Sequence, residues 1–347
     1  MANTPITQPL AEAPEREAEG ASLLDAIVAE SRVARSDVER ARAKDLIATA
    51  ASQVLAGCMT VSDDLVATLE ARIAELDRLI SDQTNAVMHA PEFQRLEATW
   101  RGLKYLVEQT ETGPALKLAV LNASKRDLVR DFRNCAEFDQ SALFKKVYEE
   151  EYGTFGGAPF GALIGDFEFG RHPEDLYLLE EISHVAAAAH APFVAAASPE
   201  LFGWDSFTDL AGPRELARIF DTAEYAKWKS LRDSDDGRFV GLALPHFLAR
   251  LPYGEANTRI EAFDFEEDVD GTDHRKYLWA NAAYALGARM TAAFASYGWC
   301  AAIRGVEGGG LVEGLPTHTF KTDQGEVALK CPTEIAITDR REKELAD

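Results

Sequence analysis

The stretch FGALIGDFEFGRHPEDLYLLEEISHVAAAAHAPFVAAA (residues 160–197) decides the fold class. It starts with a short apolar run through residue 167, which predicts a buried strand. Residues 175–189 then carry helical spacing, and residues 193–197 form a second apolar run after His190 and Pro192. Strand, helix, strand in that order is the pattern of a βαβ unit. Downstream, RFVGLAL (238–244) is β-rich and stops at Pro245, which predicts another strand over 239–244. The fold class read from this centre is mixed α/β.

Towards the N-terminus, residues 1–20 are polar with three prolines and predict a segment without its own structure. An amphipathic pattern starts at Ser22 with Leu23, Leu24, Ile27 and Val28. A helix is predicted from Asp63 and Asp64, with Leu65, Leu69, Ile73, Leu76 and Ile80 on one face, broken over 85–91. Phe93, Leu96, Trp100, Leu103 and Val107 keep helical spacing in the next segment. After Gly113-Pro114, Leu116, Leu118 and Val120 alternate with Ala115, Lys117 and Ala119, which predicts a strand. Ser124 opens a helix over 125–133, residues 142–148 are helical, and 152–160 is a Gly-rich loop. The expected division is an N-terminal arm over 1–60, flexible to helical, a helical segment over 61–112, and mixed α/β domains over 113–347.

Towards the C-terminus, residues 201–232 predict loops and short helices, and 254–275 an acidic loop. Residues 277–297 read as one long apolar helix, and two short strands are expected within 319–337. A last helix is expected to open on Asp339 as N-cap, with Glu342 completing a capping box. Roughly seven residues of helix without packing are marginal in water, so the chain reads as cut there.

Composition narrows the function classes. The 347 residues carry 36 Lys+Arg against 58 Asp+Glu, a formal net charge of −22. That balance argues against tracking nucleic-acid phosphates and against electrostatic attachment to an anionic membrane. Four cysteines (Cys58, Cys135, Cys300, Cys331) are widely spaced with no CxxC, so a reducing compartment is expected. No apolar run is long enough to span a bilayer, and no signal-peptide pattern opens the chain.

Each candidate for chemistry meets a plainer explanation. Gly308-Gly309-Gly310 lacks a following GKS/T, and Glu313 would oppose a phosphate. Gly153, Gly156 and Gly157 follow three glutamates. Glu180 and His184 share a helix face, yet HExxH is absent and no third metal ligand is evident. His246, His274 and His318 are isolated in sequence. No GxSxG elbow occurs, and Ser183 and Ser198 lack partners. Cys300 reads as a buried small hydrophobe. The run 261–273 holds seven acids and no Lys or Arg, and reads as a uniformly solvated or partner-facing loop, without EF-hand order. Trp100, Tyr105, Trp204, Trp228, Trp279 and Trp299 are expected in the core. The reading assigns no catalytic, cofactor-binding or metal-ligating residue.

A colinear series of segments does carry a resemblance. PEFQRLEATWRGLKYL (91–106), FDQSALFKKVYEEEY (138–152) and GGAPFGALIGD (156–166) occur in order. They are followed by AHAPFVAAASPELFG (189–203), LPYG (251–254), YLWANAAYAL (277–286), the GW-x-x-x-IRG segment (298–305), GGG-x-VEGLP (308–316) and PTE-x-x-ITDRRE (332–342). This series resembles the large subunit of the type VI secretion contractile sheath, the TssC/VipB family. The resemblance implies a structural protein with a phage-tail-sheath-like core and no cofactor. Implied partners are a small sheath subunit, copies of itself, an inner tube, a baseplate and a disassembly ATPase, with no nucleic acid and no membrane insertion. It implies a bacterial cytoplasmic location, extended assembly and contraction that expels the tube and spike. It also implies a further α/β portion beyond the ITDRRE segment. Two alternatives stand beside it: the sheath of a phage-like or extracellular contractile particle, and a hydrolase using the acidic loop and His274.

Overall fold

The computed structural model describes residues 36–56, 65–211, 216–322 and 324–346. The amphipathic pattern read from Ser22, most of the expected arm and the helix start at Asp63/Asp64 lie outside them. The chain divides into two compact units, Met1–Ile80 and Ser81–Asp347. In the first, helix α1 (Asp37–Leu55) opens on a capping box between Ser36 and Glu39, and helix α2 (Leu65–Met88) begins there and ends in the second. α2 runs on past Asn85, so the expected break shrinks to the two residues before Pro91, which opens helix α3 (Pro91–Glu108).

The centre of the second unit is the predicted βαβ. Strand β1 (Leu163–Phe169), helix α5 (Pro173–Ala189, following helix α4 described below), strand β2 (Phe193–Ala197) and strand β3 (Val240–Ala243) appear close to their expected bounds. The three strands are parallel in the order β1-β2-β3, pairing Leu163 with Phe193 and Phe193 with Val240. All five β2 residues are buried because both faces are covered. Phe193 and Ala195 pack with Leu178, Leu179, Ile182 and Val185 of α5. Val194 points the other way, against Ala283 and Met290 of a helix on the opposite face. α5 ends on His190, which takes the left-handed conformation (φ 51°) while Ala191 N–H donates to Ala186 O at 3.0 Å.

Helix α4 (Lys125–Arg133) starts where the sequence placed it: Ser124 accepts from Asp127 N–H and Asp127 accepts from Ser124 N–H. Residues 116–120 are a correction, since they form no strand. Leu116 and Leu118 stay partly buried and Lys117 and Ala119 exposed, but no neighbouring strand among the described residues pairs with them. Alternation specifies a face, whereas a strand also needs a partner backbone.

The long apolar helix is corrected too. Trp279–Ala280 is strand β5, antiparallel to β4 (Phe247–Leu248). Asn281 then caps helix α7 (Ala282–Tyr297) by accepting from Ala283 N–H at 2.8 Å. α7 lies between the sheet and α3. Gly102 of α3 faces the Tyr284 ring so closely that a Cβ would collide with it. Thr110 and Thr291 share a buried hydroxyl contact at 2.9 Å.

Residues 201–232 hold short turns and helix α6 (Ala226–Asp233), as expected. The late strands are a hairpin of β6 (Thr319–Lys321) and β7 (Val327–Leu329). Helix α8 (Asp339–Ala346) forms, but Thr338 caps it: its Oγ1 accepts from Arg341 N–H at 3.5 Å and its carbonyl from Glu342 N–H at 2.9 Å. Asp339 is the first helical residue, so the expected capping box is absent. The helix is not bare, because Ile335, Ile337 and Leu345 pack on the cluster of Phe202, Trp204, Phe207 and Leu216. No helix of the described residues is long and apolar enough to cross a membrane.

Candidate interaction surface

Gly308–Gly310 closes a helical turn over Val306–Gly310, and Leu311 leaves it extended, so no helix N-terminus follows to hold a phosphate. Gly309 has φ 85° and presses against the Ala302 carbonyl, where a side chain has no room. His184 Nδ1 meets Asp236 Oδ2 at 2.8 Å, a partner from another segment, while Glu180 is exposed. Ser183 Oγ donates to Glu180 O at 2.6 Å within its own helix, and Ser198 Oγ accepts from Glu200 N–H at 3.3 Å. Burial pushes the Cys300 thiol up, away from thiolate reactivity. Among the described residues no group of three or more His, Cys, Asp or Glu could hold a metal ion.

Two polar networks were hidden from the sequence, because their members lie far apart along it. In the first, Arg250 Nε donates to Glu97 Oε1 at 2.8 Å and Nη2 donates to Glu267 Oε1 at 3.0 Å. Arg101 joins by donating to Glu97 Oε1 at 2.7 Å and to the Tyr253 hydroxyl at 2.8 Å. Tyr253 N–H donates to Glu267 Oε2 at 2.9 Å, and Arg250 lies over the Tyr253 ring. Burial would raise the Glu97 pKa, but hydrogen bonds and charge from Arg250 and Arg101 outweigh it and lower it. The acidic run is therefore not uniformly solvated. Glu267 is buried, where it shares the Arg250 guanidinium with Glu97.

In the second network, His246 Nδ1 meets Glu334 Oε2 at 2.6 Å and Nε2 meets Glu168 Oε1 at 3.1 Å. His274 Nε2 reaches the other Glu334 oxygen at 3.3 Å while stacking on Trp279. Burial would lower the His246 pKa, but hydrogen bonds to Glu168 and Glu334 outweigh it and hold it up at about 10. Burial would raise Glu334, but hydrogen bonds from His246 and His274 bring it down to about 2. This buried imidazolium pins the PTE segment to β1. Nearby, burial pushes the Tyr277 hydroxyl up to about 12 and lowers His318. The hydroxyl meets His318 Nδ1 at 2.6 Å.

The outstanding surface features are apolar. On α3, Phe93, Leu96, Trp100 and Val107 are exposed, Trp100 at 64%, while the buried residues are Gly102 and Leu106 on another side of the helix. On α2, Leu69, Ile73, Leu76 and Ile80 are exposed in the same manner. Of the residues that the spacing put on one face of each helix, Leu103 is half-buried against Leu106 and Tyr284, and the others named here look outward. Trp100 and Trp299 leave the expected core set, whereas Trp204 is buried and Tyr105, Trp228 and Trp279 are not exposed. Spacings of three and four residues along each stripe fit the seam of a partner helix. Exposed apolar stripes of this kind mark interaction sites.

The family model described as EvpB/VC_A0108, tail sheath N-terminal domain, matches residues 70–347. The type VI secretion system sheath protein TssC1 of Pseudomonas aeruginosa is 51% identical over 312 residues, which cover 89% of this chain. The chain spans 63% of the length of that curated relative. Both are structural sheath proteins rather than enzymes, which removes the hydrolase reading. On the match over residues 70–347 and this identity, the chain belongs to the VipB/TssC family of type VI secretion sheath proteins.

Proposed function

We propose that this chain acts as the large subunit of a type VI contractile sheath in the bacterial cytoplasm. It pairs with a small sheath subunit, polymerises with further copies around an inner tube on a baseplate, and contracts to drive tube and spike outward. A dedicated ATPase then takes the contracted sheath apart. The arm over residues 1–60 links subunits, the helical segment over 61–112 offers the pairing seam, and residues 113–347 supply sheath domains.

The observation that carries this reading is the outward apolar seam of α3, centred on Trp100. A heptad-spaced apolar stripe left uncovered is complementary to another helix, and burying it removes that surface from water at roughly 25 cal/mol per Å². Rigid internal ties such as Arg250 with Glu97 and Glu267 suit a unit that moves as a body when packing between subunits changes. Co-expression with a small sheath subunit tests it. The expected result is a stable complex on affinity purification. A chain that folds yet captures no small sheath subunit contradicts the proposal.

A further inference from the structure

Copies of a chain with net charge −22 repel one another, so a stack of them needs a place where their surfaces are complementary. α4 offers one. Arg126, Arg130 and Arg133 fall at i, i+4 and i+7 along one exposed face, opposite the buried Leu128 and Phe132. The two acids of α4 are used internally. Asp127 accepts from Ser124 Oγ at 2.6 Å, and Asp131 accepts from Ala142 N–H and Leu143 N–H, each at 3.0 Å. Arg133 donates to Glu174 at 2.8 Å, whereas the Arg126 and Arg130 side chains make no hydrogen bond or ion pair among the described residues and only lend charge to nearby Asp127. Lys227 of α6, likewise without an ion pair, lines with Arg133, Pro173 and Tyr177 an open cleft of about 450 Å³ beside this face.

The acidic run holds the matching charges. Glu267 is taken by Arg250, Asp268 by Lys276 at 2.6 Å, Asp270 by Thr272 and Asp273 by Arg275. Glu261 and Asp264 are exposed and have no partner among the described residues. They lie in the same unit as α4, yet no ion pair among the described residues joins them to it, which leaves their charge available to another molecule. Two different surfaces that match each other make a head-to-tail contact, which propagates into rings or open helices rather than closing as a dimer.

We propose that the arginine face of α4, with Lys227, docks the segment around Glu261 and Asp264 of a second copy of this chain. The inference rests on the self-polymerisation proposed above and assigns it a surface. The test is sedimentation velocity of the purified chain at about 0.1 M and about 1 M NaCl, across which the Debye length falls from roughly 10 Å to 3 Å. Reversible self-association is expected at low salt and its loss at high salt. The R126E/R130E pair and the E261R/D264R pair are each expected to weaken it at least about tenfold, and the four changes together to restore it. All of these residues are exposed, so unchanged melting temperatures verify folding. A chain that stays monomeric at low salt overturns the proposal. So does association that ignores salt or the reversals, and so does a combined variant that fails to recover. Capture of the small sheath subunit separates the two readings. If R126E/R130E loses that capture as well, the arginine face serves the small subunit and this inference falls. If the wild type self-associates by charge but captures no small subunit, only the pairing proposal falls.

Discussion

Helices α5 and α3 carry the same kind of apolar repeat and meet different surroundings. In α5, Leu178, Leu179, Ile182 and Val185 are sealed between the parallel sheet and the segments around Phe132 and Phe144. In α3, Phe93, Leu96, Trp100 and Val107 look outward while Gly102 and Leu106 make the contact with α7. Periodicity thus identifies an amphipathic helix but not what covers its apolar side. In a chain of a sheath family, the uncovered side is where another subunit is expected.

This contrast can be broken by substitution. Leu178→Asp puts a charge where no water reaches, and should cost more than about 4 kcal/mol, enough to unfold the unit in urea titration. Glu334→Gln should cost about 3 kcal/mol at neutral pH, because it leaves the buried His246 imidazolium with one carboxylate instead of two. Trp100→Asp, by contrast, should change the stability of the isolated chain by less than about 0.5 kcal/mol. If Trp100→Asp unfolds the chain, the α3 stripe is part of the fold and the contrast fails.

A pH series sharpens the same point for the buried ties. The Glu334 pKa is depressed from an ordinary 4.5 to about 2, so its contribution is present above pH 4.5 and is lost as pH falls towards 2. His246 is raised from 6.5 to about 10, so its contribution is full below pH 6.5 and is lost as pH rises towards 10. Stability measured by urea midpoint should fall at both ends, and Glu334→Gln should flatten the acid limb. A wild-type curve that is flat from pH 6.5 to 10 would refute the imidazolium.

The central fold was legible because its signals were local. β2 is a run with both faces covered, and Ser124 with Asp127 writes its own helix start. The unread parts depend on partners distant along the chain. Residues 116–120 alternate correctly yet find no neighbouring strand, and Asn281 starts α7 only because Trp279–Ala280 pairs with Phe247–Leu248. Thr338 took the cap expected of Asp339, a shift of one residue that depends on how the preceding backbone enters the helix. The colinear motifs were recognisable before their roles were. LPYG and the acidic run are fastened through Tyr253, Arg250 and Glu267, and PTE through Glu334 and His246. No spacing rule joins residues so far apart, so their chemistry was out of reach while their order was not.

The most direct measurement is capture of a small sheath subunit by the wild-type chain and by the Leu96→Asp/Trp100→Asp variant, with melting temperatures read in parallel. A complex is expected with the wild type, and its loss, by at least about tenfold in affinity, in a variant that melts like the wild type. Equal capture by both chains would contradict pairing through α3.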